Sequence, residues 1–234
     1  MAWSAKLKGG YNIDSDEAHG NFDEIRATLS DWSLEAVCGA IGNMSGESGY
    51  NPWRWQGDRV NYSLGYGLVQ FTPASGYIRD YGVGLDGFSP NLNVSTQTPT
   101  ATPEDGKAQM IVLKDDRAHK WINRSSYCKM PEIDISPYAS LSAYKEITDL
   151  YLATAAFMFM YEGNSTVLHG TEAAQRTMVN ARYAAAEKAY TYLGGSEPPE
   201  PPEPPEPPEP PEPPKEKKGL GVMGMLRNPN LYRI

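Results

Sequence analysis

Glu47 stands where an apolar helical pattern gives way to the turn-rich stretch 48–52. At about 100° per residue, it falls almost in register with Ala36 and Ala40, at the edge of the apolar stripe. Partial burial raises the pKa of a carboxyl group because the charged form loses hydration, and a glutamic acid that stays protonated near neutrality can act as a general acid. Spacing alone leaves a second interpretation open, because a glutamate at a helix end is usually a solvated surface residue.

A second chemically suggestive stretch is Gly65-Tyr66-Gly67-Leu68-Val69-Gln70. Its two glycines permit a ligand to approach the backbone closely, and the amide of Gln70 can hold a sugar or the acid. The alternative interpretation is a tight hairpin in which the Leu-Val pair belongs to the core.

The elements that must position these residues are mainly helical. Capping residues and apolar periodicity predict helices over 21–29, 34–47, 73–81, 103–113, 150–161 and 171–193. The stretch 53–70 predicts one or two short hairpin strands, and 82–101 predicts a loop. The sequence therefore favours an α+β domain over residues 1–195, with a small β-hairpin insertion after the second helix.

The C-terminal part has a different composition. Residues 196–214 contain six tandem Glu-Pro-Pro units, which hold 12 of the 20 prolines. Because proline fixes φ and lacks an N–H donor, this linker predicts a polyproline II spacer. Residues 215–234 are basic and then apolar and too short for a core, which predicts either a docking tail or a disordered terminus.

Charge and hydropathy exclude some classes of function. The net charge is −8, and residues 1–196 account for −6 of it, which argues against a nucleic-acid surface. No apolar run is long enough to span a membrane, and the basic N-terminus lacks the apolar run of a signal peptide. Cys38 and Cys128 predict neither a disulfide framework nor a zinc site, and no cofactor is expected.

Several short motifs resemble the phage tail-type lysozyme family. The similarity is tightest over residues 36–78 and looser over most of 1–195. The residues that carry it are Ala36-Val37-Cys38-Gly39, Ile41-Gly42-Asn43-Met44, Glu47-Ser48, Asn51-Pro52, Trp55-Gln56, Ser63 to Gln70, and Thr72-Pro73-Ala74-Ser75.

The resemblance implies a lysozyme-like fold and the glycan strand of peptidoglycan as substrate. Glu47 would then protonate the oxygen between N-acetylmuramic acid and N-acetylglucosamine. It also implies an enzyme carried by the virion to the host cell wall. If the tail 215–234 is a docking segment, its expected partner is then a phage tail protein or another virion protein. The zinc peptidase domain of some relatives is not expected, since the chain has three histidines without metal-ligand spacing.

The remaining candidate residues are Asp58 as second carboxylate, and Gln70, Tyr66, Trp55, Ser48 and Tyr161 as substrate-binding residues. Asp58 is equally compatible with an ordinary turn aspartate, and the aromatic residues with core packing. If no second acid is present, a lytic transglycosylase becomes the alternative, because a hydroxyl of the substrate then attacks. A catalytically silent wall-binding module of the same fold is the third possibility.

Overall fold

The computed structural model describes residues 3–6, 8–80, 92–93, 98–99, 105–117 and 120–196. The predicted spacer and docking tail, from residue 197 onward, lie outside these residues. No described helix combines the length and apolarity that crossing a bilayer requires. The helices are α1 (Asp16–Thr28), α2 (Leu34–Glu47), α3 (Ala74–Asp80), α4 (Asp105–Lys114), α5 (Leu141–Tyr144), α6 (Leu150–Phe157), α7 (Ser165–His169) and α8 (Glu172–Tyr192).

The helix starts follow the capping residues of the sequence. Ser33 Oγ accepts a hydrogen bond from the N–H of Ala36 at 3.1 Å and begins α2 at the predicted position. Thr171 caps α8 in the same way. Helix α1 begins earlier than its apolar periodicity predicts, because Ser15 caps it at Asp16. The predicted helix over 150–161 changes character after α6, where a π-helical turn, Met158–Glu162, follows directly.

The predicted β-hairpin is not confirmed, whereas the mainly helical character is. The stretch 53–70 holds a 3₁₀ turn, Gln56–Asp58, and Tyr66 makes isolated antiparallel bridges to Trp55 and Phe71. Positive φ angles at Gly57, Asp58, Gly67 and Gln70 interrupt the extended backbone that a continuous strand needs.

Strand pairing occurs instead within 82–101, which the sequence predicts as a loop. Two antiparallel two-residue strands lie there, β1 (Leu92–Asn93) and β2 (Thr98–Pro99).

The core of the domain is α2, which packs against both α6 and α8. Glycines on α2 make this approach possible. A Cβ atom on Gly42 would lie 2.5 Å from the carbonyl oxygen of Arg182 on α8, and one on Gly39 would lie 2.8 Å from the carbonyl carbon of Ala153 on α6. Buried Asn43 joins α2 to α6 by donating to the carbonyl of Thr154 at 3.0 Å. The helix that ends at Glu47 is thus fixed by backbone contacts on two sides.

Helix α4 holds the loop that follows α2. Gln109 accepts from the N–H of Leu68 and donates to the carbonyl of Pro52, both at 2.7 Å. Next to it, the hydroxyl of Tyr66 donates to the carboxyl group of Asp105. Asp105 is fully buried, and this burial raises its pKa to about 7, against the effect of its hydrogen bonds with Tyr66 and Gln109.

We expect Gly42→Ala to lower the free energy of unfolding by about 1–3 kcal/mol, because the added methyl group must push α8 away from α2. The matched control is Gly20→Ala in α1, where a Cβ meets no atom within 4 Å. That substitution should instead stabilise the protein by about 0.5–1 kcal/mol. Urea unfolding measures both changes, and equal stability of the two variants would contradict the close-packing argument.

Asp105→Asn should change how stability depends on pH. Asparagine still accepts from Tyr66 but does not ionise. In the folded protein the Asp105 pKa of about 7 exceeds the unfolded value, so its contribution is present at acidic pH and is lost as the pH rises through 7. The variant should therefore gain stability relative to the wild type as the pH rises, by about 4 kcal/mol over the whole range from below the unfolded pKa to above the folded pKa, and by about 3 kcal/mol of this between pH 5 and pH 8. A stability difference that does not change with pH in urea unfolding would contradict this.

Candidate active site

Glu47, the last residue of α2, lies at the edge of a cleft with a volume of about 410 Å³. The helix ends here because Gly49 takes a positive φ of 56°, with the N–H groups of Ser48 and Gly49 both donating to the carbonyl of Met44 at 3.0 Å. The side chain of Glu47 is 24% exposed. It is therefore partly removed from water but still open to the cleft.

Arg182 of α8 forms an ion pair with the carboxyl group of Glu47. Its Nη2 atom lies 2.9 Å from Oε1 of Glu47 and 3.6 Å from Oε2 of Glu162. Gly46 leaves the space for it, since a Cβ at that position would overlap the guanidinium group. Two carboxyl groups from α2 and from the π-helical turn thus share one buried cation.

Glu162 ends the π-helical turn, and its side chain is only 5% exposed. Arg124 holds this end of the helix by donating to the carbonyls of Phe159 and Met160, at 3.2 and 2.7 Å. The next residue, Gly163, has a φ of 55°, and a Cβ there would lie 2.5 Å from Cζ of Arg124. The turn and its arginine together fix the direction in which Glu162 enters the cleft.

Burial raises the pKa of both carboxyl groups. For Glu162 the shift is large, because desolvation and the neighbouring charge of Glu47 act in the same direction. For Glu47 desolvation is the largest cause, and the positive charge of Arg182 opposes it. Two coupled carboxyl groups beside one guanidinium group are electrically balanced when they hold a single proton between them. Such a pair can keep a proton available near neutral pH.

The opposite part of the cleft comes from the loop after α2. Gln70 lies there with a φ of 50°, a conformation that residues other than glycine seldom adopt. Its Nε2 atom donates to the carbonyls of Gly67 and Arg54 at 2.9 and 3.1 Å. These bonds fix the side chain on the cleft surface beside Arg54, Gln56, Gly57, Val69 and Thr72.

Asp58, the predicted second carboxylate, does not share the cleft position of Glu47. Asp58 is not among the described residues that line the cleft. Its Oδ1 atom accepts from the N–H of Gly9 at 2.9 Å and lies 3.1 Å from Nε of Arg54. In this position Asp58 ties the N-terminal segment to the loop.

The other candidate residues lie beneath the cleft surface. Trp55 is 7% exposed and packs on Tyr66, with the ring centroids 4.7 Å apart. Tyr66 is completely buried, so neither face of its ring is open to a sugar. Tyr161 packs against Phe157, with ring centroids 4.9 Å apart. These aromatic rings support the cleft from inside.

Ser48 is also buried. Its hydroxyl donates to the carbonyl of Met44 at 3.2 Å and so belongs to the end of α2.

Sequence reasoning missed the cation of the site and part of its lining. Arg182 and Glu162, together with the lining residues Arg54, Gln56, Thr72 and Asn164, were not among the predicted site residues. Asn164 directs its Nδ2 atom toward Oε2 of Glu162 at 3.5 Å. The spacing of Gly42 and Gly46, one helical turn apart, indicates that another chain segment approaches this face of α2 closely, but it does not identify the segment. In the described residues, no three His, Cys, Asp or Glu side chains are grouped to hold a metal ion.

Comparison with known proteins agrees with this architecture. The family model for phage tail lysozyme matches residues 22–193. A relative, morphogenesis protein 1 of Bacillus phage B103, is 54% identical over 48 residues, which are 20% of this chain and 13% of the relative. The family match extends over the helices that carry Glu47, Glu162 and Arg182. The chain therefore belongs to the phage tail lysozyme family.

Proposed function

We propose that the chain is a virion-associated glycosidase that cleaves the bond between N-acetylmuramic acid and N-acetylglucosamine in peptidoglycan. The observation that carries the proposal is Glu47, partly desolvated at the edge of a cleft and coupled to Glu162 and Arg182. Family membership supplies the class of substrate. Local opening of the host wall during DNA entry fits a tail lysozyme.

In the proposed mechanism, Glu47 is the general acid. A glycan strand lies in the cleft with the scissile oxygen within reach of the Glu47 carboxyl group, which donates its proton as the C–O bond breaks. Arg182 stabilises the carboxylate that this leaves. Glu162 is a positioning residue, because its buried carboxyl group pairs with Arg182 and so helps to fix Arg182 beside Glu47. Its charge also makes it harder for both carboxyl groups to be ionised at once.

The second step decides the product. Hydrolysis requires a water molecule, which a second carboxylate usually orients or activates, and Asp58 remains our predicted candidate. The described cleft lining contains only Glu47 and Glu162 as acids. This observation favours a lytic transglycosylase as the second candidate function. There the C6 hydroxyl of muramic acid attacks C1 of the same sugar, its proton passes to the carboxylate of Glu47 that the first step leaves, and no water is consumed.

We expect Glu47→Gln to lower the rate of wall cleavage about 10²- to 10⁴-fold, because glutamine cannot donate the proton. The measurement is release of soluble glycan from purified Gram-positive walls. Mass spectrometry of the products separates the two candidate reactions, since hydrolysis leaves a reducing muramic acid and transglycosylation leaves its 1,6-anhydro form.

The matched control is Glu35→Gln, at the other end of the same helix. Glu35 accepts from the hydroxyl of Tyr190 at 2.9 Å, and glutamine can keep that bond. This variant should retain wild-type activity. If the wild type binds walls but neither it nor any variant releases sugar, the silent wall-binding module replaces the proposal; if Glu47→Gln clears walls like the wild type, Glu47 is not the acid.

A charge change at Arg182 should move the pH profile. The cation lowers the pKa of Glu47 and of Glu162, so Arg182→Met should raise both. Because the acid must be protonated, the alkaline limb of kcat/KM should shift to higher pH, while Arg182→Lys should shift it less.

Arg176→Met is the control for this experiment, since Arg176 also lies on α8 but pairs with Glu132 and Glu172 outside the cleft. The alkaline limb of kcat/KM against pH for Arg176→Met should match that of the wild type. A limb that stays in place or moves to lower pH in Arg182→Met would contradict the assigned role.

A further inference from the structure

A second pocket, of about 500 Å³, lies beside the N-terminal segment of the domain. Residues 3–6 form one wall, and Tyr11, Glu17 and Trp53 complete it. Its volume is within the range of about 300–1,000 Å³ that small-molecule sites occupy. None of these residues lines the cleft that contains Glu47. The pocket is therefore separate from the proposed catalytic site.

Buried side chains fix the backbone that forms this pocket. Asn21, fully buried, accepts from the N–H of Ser4 at 2.7 Å and donates to its carbonyl at 2.9 Å. Asn51, also fully buried, accepts from the N–H of Lys6 at 3.3 Å and donates to its carbonyl at 2.8 Å. Each asparagine thus holds one residue of the wall by both backbone groups. The pocket is preformed rather than assembled on binding.

The lining combines aromatic rings with a small number of polar groups. Tyr11 and Trp53 are each only partly buried, so their rings remain accessible. The Nζ atom of Lys6 lies 4.4 Å from the centroid of the Tyr11 ring. Lys6 and Glu17 are the charged residues of the lining, and because their charges are opposite, the lining has no net charge. An uncharged, amphipathic ligand suits this surface better than an anion or a cation.

The pocket is connected to the catalytic cleft through adjacent residues. Trp53 lines the pocket, and the next residue, Arg54, lines the cleft. Two consecutive residues therefore line the pocket and the cleft. A polymer bound in the cleft can contact the pocket through its further sugar units.

We propose that this pocket binds an N-acetylated hexosamine unit of a glycan strand, outside the site of cleavage. The sugar face packs on Trp53 and Tyr11, and its hydroxyl groups bond to Glu17 and Lys6. The inference rests on the proposed function, since it takes the same polymer as ligand. The pocket holds the enzyme on the wall between cleavage events.

The test uses the full chain carrying Glu47→Gln, which cannot cleave, and tri-N-acetylchitotriose as probe. The five tryptophan indole N–H signals are followed by NMR, with Trp3, Trp53 and Trp55 assigned by substitution to Phe. Signals of Trp3 and Trp53 should shift on titration. Adding Trp53→Ala should weaken the Trp3 response about tenfold or more in Kd, while a response of Trp55, beside the cleft, persists.

Tyr127→Ala is the matched aromatic control, because Tyr127 is 44% exposed and lines neither pocket. It should leave the Trp3 response unchanged. The proposal is overturned if only Trp55 responds, or if a muramyl peptide shifts Trp3 and Trp53 and the sugar trimer does not. Failure of the proposed function would give a different result, because the wild-type protein would then release no sugar from walls.

Discussion

The site depends on how closely α8 approaches α2. Glycine at positions 42 and 46 lets the backbone and guanidinium group of Arg182 pass directly over the end of α2, which carries Glu47. A side chain at position 42 would push α8 away from α2, and one at position 46 would displace the guanidinium group from the carboxyl group. The packing of two helices and the electrostatics of the proposed acid are therefore the same feature of the molecule.

The end of α6 departs from regular helix where the buried charges lie. A carboxyl group as buried as Glu162 needs a partner, and Arg182 can reach it only from the side that α8 occupies. A π-helical turn ends at Glu162, and Arg124 donates to the carbonyls of Phe159 and Met160 within it. The irregular backbone and the two acids that share one cation therefore occur at the same end of the helix.

Local chemistry made much of the fold predictable. Ser33 and Thr171 cap their helices as predicted, and α2 ends at Glu47, the later of the two ends that the sequence left open, Ser45 or Glu47. The partners of Glu47 were not predictable in the same way, because Arg182 is 135 positions away and no local pattern joins the two. The sequence also did not indicate which aromatic side chains are buried and which remain accessible to solvent. The stretch 53–70 has repeated positive φ angles, so it lacks the two-residue alternation that would separate the buried Tyr66 from the more accessible Trp53.

The loop that carries Gln70 is tied to the domain by polar groups rather than by a sheet. Gln109 and Asp105 on α4 bind it from below, and Asp58 links it to the N-terminal segment near Gly9. This arrangement couples both pockets to one short stretch of chain, because Trp53 and Arg54 lie at its start. The N-terminal segment contacts this loop through Asp58, and it also contacts the chain just after α2, where the N–H of Tyr11 donates to the carbonyl of Gly49 at 2.7 Å. Helices α6 and α8 pack against the helix that carries the acid, whereas α4 binds the wall that faces it, so the N-terminal segment is the part of the fold that touches both.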